Sequence, residues 1–321
     1  MSKPYERIDV SEWLFVRTET IGQSPAVWIR DPKKDDDSDH HWLFKPVEVH
    51  SNGTQQGGDW AEKIAGELAT FLGIPCAVIE LAVRDGVLGS ISRNVIPRYW
   101  SMWSGRLWLD ADPRLPYRSG GATKSKRKGG ASAGYSIESI HTALEGVGPP
   151  LGESSTDLMS GFEVFSGYLL LDALIANRDR HEDNWGVVEP TLSGPEGSRL
   201  SKTFDQAGSL GYQLTDEGRL KILNAPGGLA KWVTNGTAWR FESEAGARPV
   251  SLVELARLAA EYVGNPSDLQ WLARLDSLTP SVVSDMLNRA TAMSVVSRTF
   301  AKEVILTNAE RIRDGYRNSA S

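Results

Sequence analysis

Near the start of the chain two short runs alternate apolar and polar positions, Trp13-Leu14-Phe15-Val16 and Ala26-Val27-Trp28-Ile29, with Gly22-Gln23-Ser24-Pro25 between them. Alternation on either side of turn residues predicts two strands and a turn. The charged run over 31–41 reads as a solvated loop. Trp42-Leu43-Phe44-Lys45-Pro46-Val47 predicts a strand that stops near Pro46, since proline cannot donate to a ladder. Beyond a polar, glycine-rich stretch over 51–58, Ile64, Leu68, Phe71 and Leu72 recur at helical spacing as far as Gly73. Asp59 with Glu62 three residues later predicts a capping box where that helix begins. The runs 77–84 and 87–96, parted by Asp85-Gly86, predict a hairpin. Residues 1–96 therefore read as an antiparallel sheet carrying one helix.

The period then changes. Residues 111–135, including Lys124-Ser125-Lys126-Arg127-Lys128, read as a loop or insertion. A long helix is expected over 156–176, apolar at Leu158, Phe162, Phe165, Leu169, Leu170, Ala173 and Leu174. Asp172 breaks that stripe; a buried partner of the following loop and a wetted boundary position are both compatible with it. Trp185-Gly186-Val187-Val188 and Lys202-Thr203-Phe204 read as short strands. Ser251 with Glu254 forms a second capping-box pattern, opening a helix to about residue 263. Thr279-Pro280 marks a further helix start, and a last amphipathic stretch runs over 298–313. The second part is mainly helical with a small β insert.

Composition narrows the classes. With 321 residues, 40% apolar and 24% charged, the chain can bury a sizeable core and is neither disordered nor collagen-like. The net charge is −6, which argues against general nucleic-acid binding. The single cysteine, Cys76, excludes an intramolecular disulfide and a CxxC metal or redox site. No apolar leader follows Met1 and no run approaches membrane-spanning length, so the expected location is the cytoplasm and no membrane partner is expected. The 11 tryptophans have no fixed period and are read as core and seam residues. His40 and His41 read as surface residues, with no second ligand pair at zinc spacing.

The densest polar cluster is Asn177-Arg178-Asp179-Arg180-His181-Glu182-Asp183-Asn184, between an apolar helix and an apolar strand. Asp205 follows at the end of the 202–204 run. Magnesium-dependent phosphoryl transfer needs a carboxylate at the acceptor hydroxyl, hard oxygen ligands for the metal, a lysine on the nucleotide phosphates and a glutamate to hold that lysine. Asp179, Asn184, Asp205, Lys45 and Glu62 supply those types in order. Taken one by one, Lys45 also reads as a strand-edge lysine, Glu62 as a capping residue and Asp205 as a turn former.

Asp179-Arg180-His181-x-x-Asn184 followed by Asp205 resembles the catalytic and metal motifs of HipA-like kinases, bacterial toxin-type serine/threonine kinases; the same order occurs in phosphoinositide-type kinases. Trp42-Leu43-Phe44-Lys45-Pro46 resembles the family's nucleotide-lysine strand. The stretch from Asp59 to Pro75 resembles its N-lobe helix, and Phe204-Asp205-Gln206-Ala207-Gly208-Ser209-Leu210-Gly211 its metal-binding segment. The resemblance implies an α+β, two-lobed protein-kinase-like fold, with an N-lobe over 1–96, a helical C-lobe over 97–321 and a hinge at residues 94–98. It implies Asp179 as the catalytic aspartate, Asn184 and Asp205 as magnesium ligands, and Lys45 on the phosphates with Glu62 paired to it. His181 would brace the loop. Gly22 stands where the phosphate-cradling turn belongs, although Thr20-Ile21-Gly22-Gln23-Ser24 is no G-x-G-x-x-G loop. The implied cofactors are ATP and Mg2+, and the implied partners a protein substrate and an antitoxin-like protein. Thr123, Ser125 and Ser132 are candidate autophosphorylation acceptors. Lipid or small-molecule phosphorylation, adenylyl transfer, and a nucleotide-binding module without turnover remain as alternatives.

Overall fold

The computed structural model describes residues 3–19, 25–119, 131–192, 195–243, 247–263 and 270–317. Gly22, Thr123, Ser125 and the 124–128 basic run lie outside the described residues.

The alternating runs of the first part build one sheet from β1 (Arg7–Asp9), β2 (Leu14–Thr18), β3 (Val27–Arg30), β4 (His41–Pro46), β5 (Ile79–Arg84) and β6 (Val87–Arg93). The order is β1-β5-β6-β4-β3-β2, antiparallel except that β1 runs parallel to β5. The β5–β6 turn uses Asp85 and Gly86 at φ 50° and 78°. Both central residues are left-handed, the geometry that matches strand twist in a two-residue hairpin. Phe44 of β4 enters a small core with Val10, Ile29, Ala82 and Ile91, against which Trp13 and Trp42 pack. Successive strand residues face opposite ways, so Lys45 projects from the other side of β4.

The helix α1 (Gly58–Leu72) buries Ile64, Ala65, Leu68 and Leu72 and ends at Gly73, whose φ of 72° suits a residue without Cβ. Its start differs from the expected capping box. Gly57 is the N-cap and makes no side-chain cap. Asp59 lies inside the first turn, where Arg7 from β1 takes its carboxylate in an ion pair, and Glu62 turns toward the second part of the chain.

That part holds a three-stranded antiparallel sheet, β7 (Trp100–Ser104), β8 (Gly186–Pro190) and β9 (Arg199–Leu200), in the order β7-β8-β9. Around it stand α2 (Gly105–Ala111), α3 (Ile137–Ala143), α4 (Gly161–Ile175), α5 (Asp216–Asn224), α6 (Gly228–Thr234), α7 (Leu252–Glu261), α8 (Gln270–Asp276), α9 (Pro280–Asn288) and α10 (Val295–Arg317). Apolar on all sides, α4 is buried along its length and packs on α7, α10 and α1. It starts later than its stripe suggested. Ser160 and Glu163 form a reciprocal capping box that sets the start at Gly161, and Leu158 is left fully exposed. Asp172, near the end of α4, is buried at 2% exposure. Ser251 caps α7 through the Glu254 N–H, but the Glu254 carboxylate is taken by Arg257, so that box is half formed. Thr279 caps α9 with Pro280 in its first turn.

The two parts meet along a backbone seam. Thr203 N–H donates to Pro75 O at 3.0 Å, and Ala77 N–H to Thr203 O at 2.9 Å. The strand expected at 202–204 is thus a single parallel bridge, Cys76 to Thr203. This bridge fixes the segment entering Asp205 against the connection that leads from α1 into β5.

Candidate active site

The loop after α4 is set by a buried ion pair. Arg180 Nε donates to Asp172 Oδ2 at 2.7 Å, and Nη2 to Oδ1 at 2.9 Å. Asn177 Nδ2 also donates to Asp172 Oδ1, at 2.7 Å. Arg180 Nη1 reaches across the loop to the Asn184 carbonyl at 2.5 Å. One carboxylate on a rigid helix therefore braces both ends of the 177–184 turn. Arg180 is as buried as Asp172, at 2% exposure. Burial works against its charge, but Asp172 outweighs that and holds the guanidinium pKa up.

Within the turn, Asn177 Oδ1 accepts the Asp179 N–H, and Asn184 Nδ2 donates to Asp179 O at 2.7 Å. With its amide nitrogen so engaged, Asn184 has its amide oxygen as the atom able to ligate a cation. Asp183 N–H donates to His181 Nδ1 at 3.2 Å. Burial pulls the His181 pKa down, so a neutral imidazole bracing the loop fits its surroundings. The loop's outer side is held by Arg106, which grips Asp183 with Nε and Nη2 and contacts Glu182 at 3.3 Å. Glu182 is buried and accepts from Tyr117 Oη and Ser132 Oγ. The Ser132 hydroxyl is thus spent on bracing the loop.

Asp205 arrives from the seam at φ 63°, a left-handed conformation that aspartate tolerates better than most residues. Its Oδ1 lies 2.7 Å from Lys45 Nζ. Burial opposes the charge of each, and their mutual attraction wins. Lys45 is held above the usual lysine value by Asp205 and Glu62, and the Asp205 carboxyl below the usual carboxylate range by Lys45. The same segment passes under the loop: a Cβ placed on Gly208 would lie 3.6 Å from Asp179 Cβ and 3.5 Å from Asn177 Oδ1. Leu210 N–H then donates to Ile175 O and closes the end of α4.

Glu62 is placed otherwise than the resemblance implies. Among the described residues it forms no ion pair with Lys45. Its Oε1 accepts the Gln206 N–H at 3.0 Å, next to Asp205, while Oε2 is buried without a hydrogen-bond partner. Burial raises the Glu62 pKa, Asp205 adds to the rise, and Lys45 with the Gln206 and Ala207 N–H groups offsets it only in part. Cys76, beside this cluster, has its thiol pushed up to about 12 by burial and the Glu62 charge, which leaves it inert as a nucleophile. Lys45, Glu62 and Asp179 are therefore gathered around one segment, 205–208, by three separate elements, and Asn184 is tied to them through the Asp179 carbonyl.

Arg240 carries no signal legible from sequence. It comes from a loop 61 residues beyond Asp179, and its Nε donates to Asp179 Oδ1 at 2.7 Å. No spacing rule joins two such positions; only the folded chain does.

Neither a family model nor a curated protein matches the chain. Solved structures do. The Helicobacter pylori proinflammatory kinase CtkA aligns with a TM-score of 0.72 at 14% identity, covering 97% of this chain and 97% of that one. This chain has a kinase fold. A second match comes from the Shewanella oneidensis MR-1 toxin–antitoxin complex of HipA, HipB and operator DNA, with a TM-score of 0.55 at 13% identity over 93% of this chain and 67% of that chain. The α+β architecture is that of the HipA-like kinases. At these identities the likeness is one of fold, and the side chains must carry any argument about chemistry.

Proposed function

We propose that the protein transfers the terminal phosphoryl group of ATP to a serine or threonine hydroxyl of a protein. The observation that carries this reading is the Lys45–Asp205 contact at 2.7 Å. It joins a lysine on the six-stranded sheet to a carboxylate from the second part of the chain, whose segment passes Asp179 at Gly208.

Asp205 and Asn184 are the residues that would hold magnesium. They offer one carboxylate and one amide oxygen, and magnesium commonly takes only one or two protein ligands beside water and phosphate oxygens. Among the described residues no group of three or more His, Cys, Asp or Glu side chains forms a denser metal cage. The pairing with Lys45 shows that Asp205 already balances a positive charge at this position. The bound nucleotide and its metal would supply the phosphoryl group and bridge its negative charge. Lys45 binds phosphate oxygens on this reading, and Glu62 keeps the lysine charged while pinning Gln206. Asp179 accepts a hydrogen bond from the acceptor hydroxyl and takes its proton.

The net charge of −6 supports a protein acceptor over nucleic acid, and no described helix is long and apolar enough to cross a membrane. A cytoplasmic site of action and an antitoxin-like protein partner complete the proposal; co-purification of the native complex tests the partner. The test of the reaction is intact mass after incubation with Mg-ATP, for wild type and Asp179→Ala. A phosphoryl increment in the wild type alone supports the proposal. An adenylyl increment replaces phosphoryl transfer by nucleotidyl transfer at the same residues. Nucleotide binding with no transfer, even to added acceptor protein, leaves a binding module.

A further inference from the structure

Arg240 places two N–H groups on a single oxygen of Asp179. Nε is 2.7 Å and Nη2 is 2.5 Å from Oδ1. One oxygen is held by Arg240, and no described residue engages the other, Oδ2, in a side chain that is 44% exposed.

The segment carrying Arg240 is fixed on both sides. Ala238 N–H donates to Val250 O, Phe241 N–H to Ala238 O, and Glu242 N–H to Tyr135 O. The Phe241 ring packs on Tyr135 at 4.7 Å, and Tyr135 Oη donates to Arg180 O inside the loop. Arg178 Nε donates to Thr237 O. The guanidinium itself lies over the Trp239 ring at 3.9 Å. A planar donor on a stacked, packed base loses little freedom when it grips a carboxylate. The neighbouring cations have other work: Arg180 is locked on Asp172 and Lys45 on Asp205. His181 has its pKa pulled down by burial.

The geometry points to Arg240 as a positioning residue for Asp179, holding Oδ1 so that Oδ2 meets the acceptor hydroxyl. The inference rests on the phosphoryl-transfer reading above. In that transfer the acceptor oxygen bonds to the γ-phosphorus as the bond to the β,γ-bridging oxygen breaks. The nucleoside diphosphate leaves with that electron pair, and the hydroxyl proton passes to Oδ2.

The experiment compares wild type, Arg240→Ala and Arg240→Lys for transfer from Mg-ATP to dephosphorylated casein and to the protein itself. Each is measured across ATP concentrations, with thermal midpoints as a folding control. Misplacing a reacting group by about 1 Å costs roughly 100-fold in rate. Arg240→Ala should therefore lose about 100-fold in kcat while KM for ATP moves by less than about twofold. Arg240→Lys, a cation without the fork, should recover about tenfold of that loss. An unchanged kcat in Arg240→Ala overturns the inference, and so does a faster one, which would make the contact a brake. A loss that Arg240→Lys leaves unrepaired, with a lowered thermal midpoint, assigns Arg240 to structure alone and also overturns it. Absence of transfer in the wild type removes the parent reading and this one with it, an outcome distinct from a failure confined to the variants.

Discussion

Replacing Asp172 by alanine should separate the architecture of the loop from its chemistry. The carboxylate accepts three hydrogen bonds, two from Arg180 and one from Asn177, at 2.7–2.9 Å. Both partners of the ion pair are 2% exposed. Truncation strands a guanidinium and an amide N–H in the interior, where water cannot replace the lost acceptor. Breaking one side of such a pair costs about 3–5 kcal/mol, a large part of the roughly 5–15 kcal/mol that holds a domain together. For a chain of this size that corresponds to a fall of about 4–7 °C in Tm. The double variant Asp172→Leu with Arg180→Met removes both charges and fills similar volume, so most of the stability should return, because apolar replacements of a buried pair are often neutral. Activity should not return with it. Arg180 Nη1 no longer reaches the Asn184 carbonyl, and Asn177 loses the partner that orients it beneath Asp179. Calorimetry and the phosphoryl-transfer assay read the two quantities separately. A Tm within about 2 °C of wild type for Asp172→Ala would refute the claim that this pair is desolvated. Full activity in the double variant would refute its role as the brace.

Two other perturbations test the neighbourhood. Glu62→Gln should stabilise the protein at neutral pH while reducing transfer. Burial raises the folded-state pKa of this carboxyl above its ordinary 4.5, so the folded state holds the proton more tightly and Glu62 costs stability as pH rises from that value through the folded one. The difference in urea midpoint between Glu62→Gln and wild type should accordingly grow between pH 5 and pH 8, and a difference that shrinks with pH contradicts the assignment. Gly105→Ala should destabilise by about 1–3 kcal/mol, the usual cost of overpacking. A Cβ there would sit 2.2 Å from the fully buried Trp185 ring, which directly follows the loop; an unchanged Tm would show that Trp185 can move.

Much of this arrangement is visible in the sequence because it is local. The β4 strand, the Asp85-Gly86 hairpin, the Gly73 stop, the Thr279-Pro280 start and the polar 177–184 turn all rest on neighbouring residues. The failures are non-local. β1 is three residues long and becomes a strand only through its parallel pairing with β5. The Asp59–Glu62 pattern matches a capping box, yet Arg7 claims the aspartate from 52 residues away and Gln206 engages the glutamate from 144. Leu158 shares the helical period but lies before the Ser160 cap that decides where α4 begins. Asp172 could be read as buried or as boundary from sequence, and the choice was made by Arg180, eight residues on. Arg240 has no local signature at all.

The placement of Glu62 has a consequence for how the cleft is held. Its bonded partner is the backbone of Gln206, so α1 is tied to the residue after Asp205 and not directly to Lys45. The Thr203 bridge to Pro75 and Ala77 ties the same segment to the connection between α1 and β5 three residues earlier. Asp205 is thus clamped from both sides by the first part of the chain, while Lys45 is held in the cleft by Asp205 itself. Moving α1 outward would withdraw the buried Glu62 charge from Lys45 and unseat Gln206 in one step. The position of Asp205 and the charge environment of Lys45 are therefore a single coupled variable. Glu62, through the Gln206 N–H on one side and its field at Lys45 on the other, is the residue that couples them.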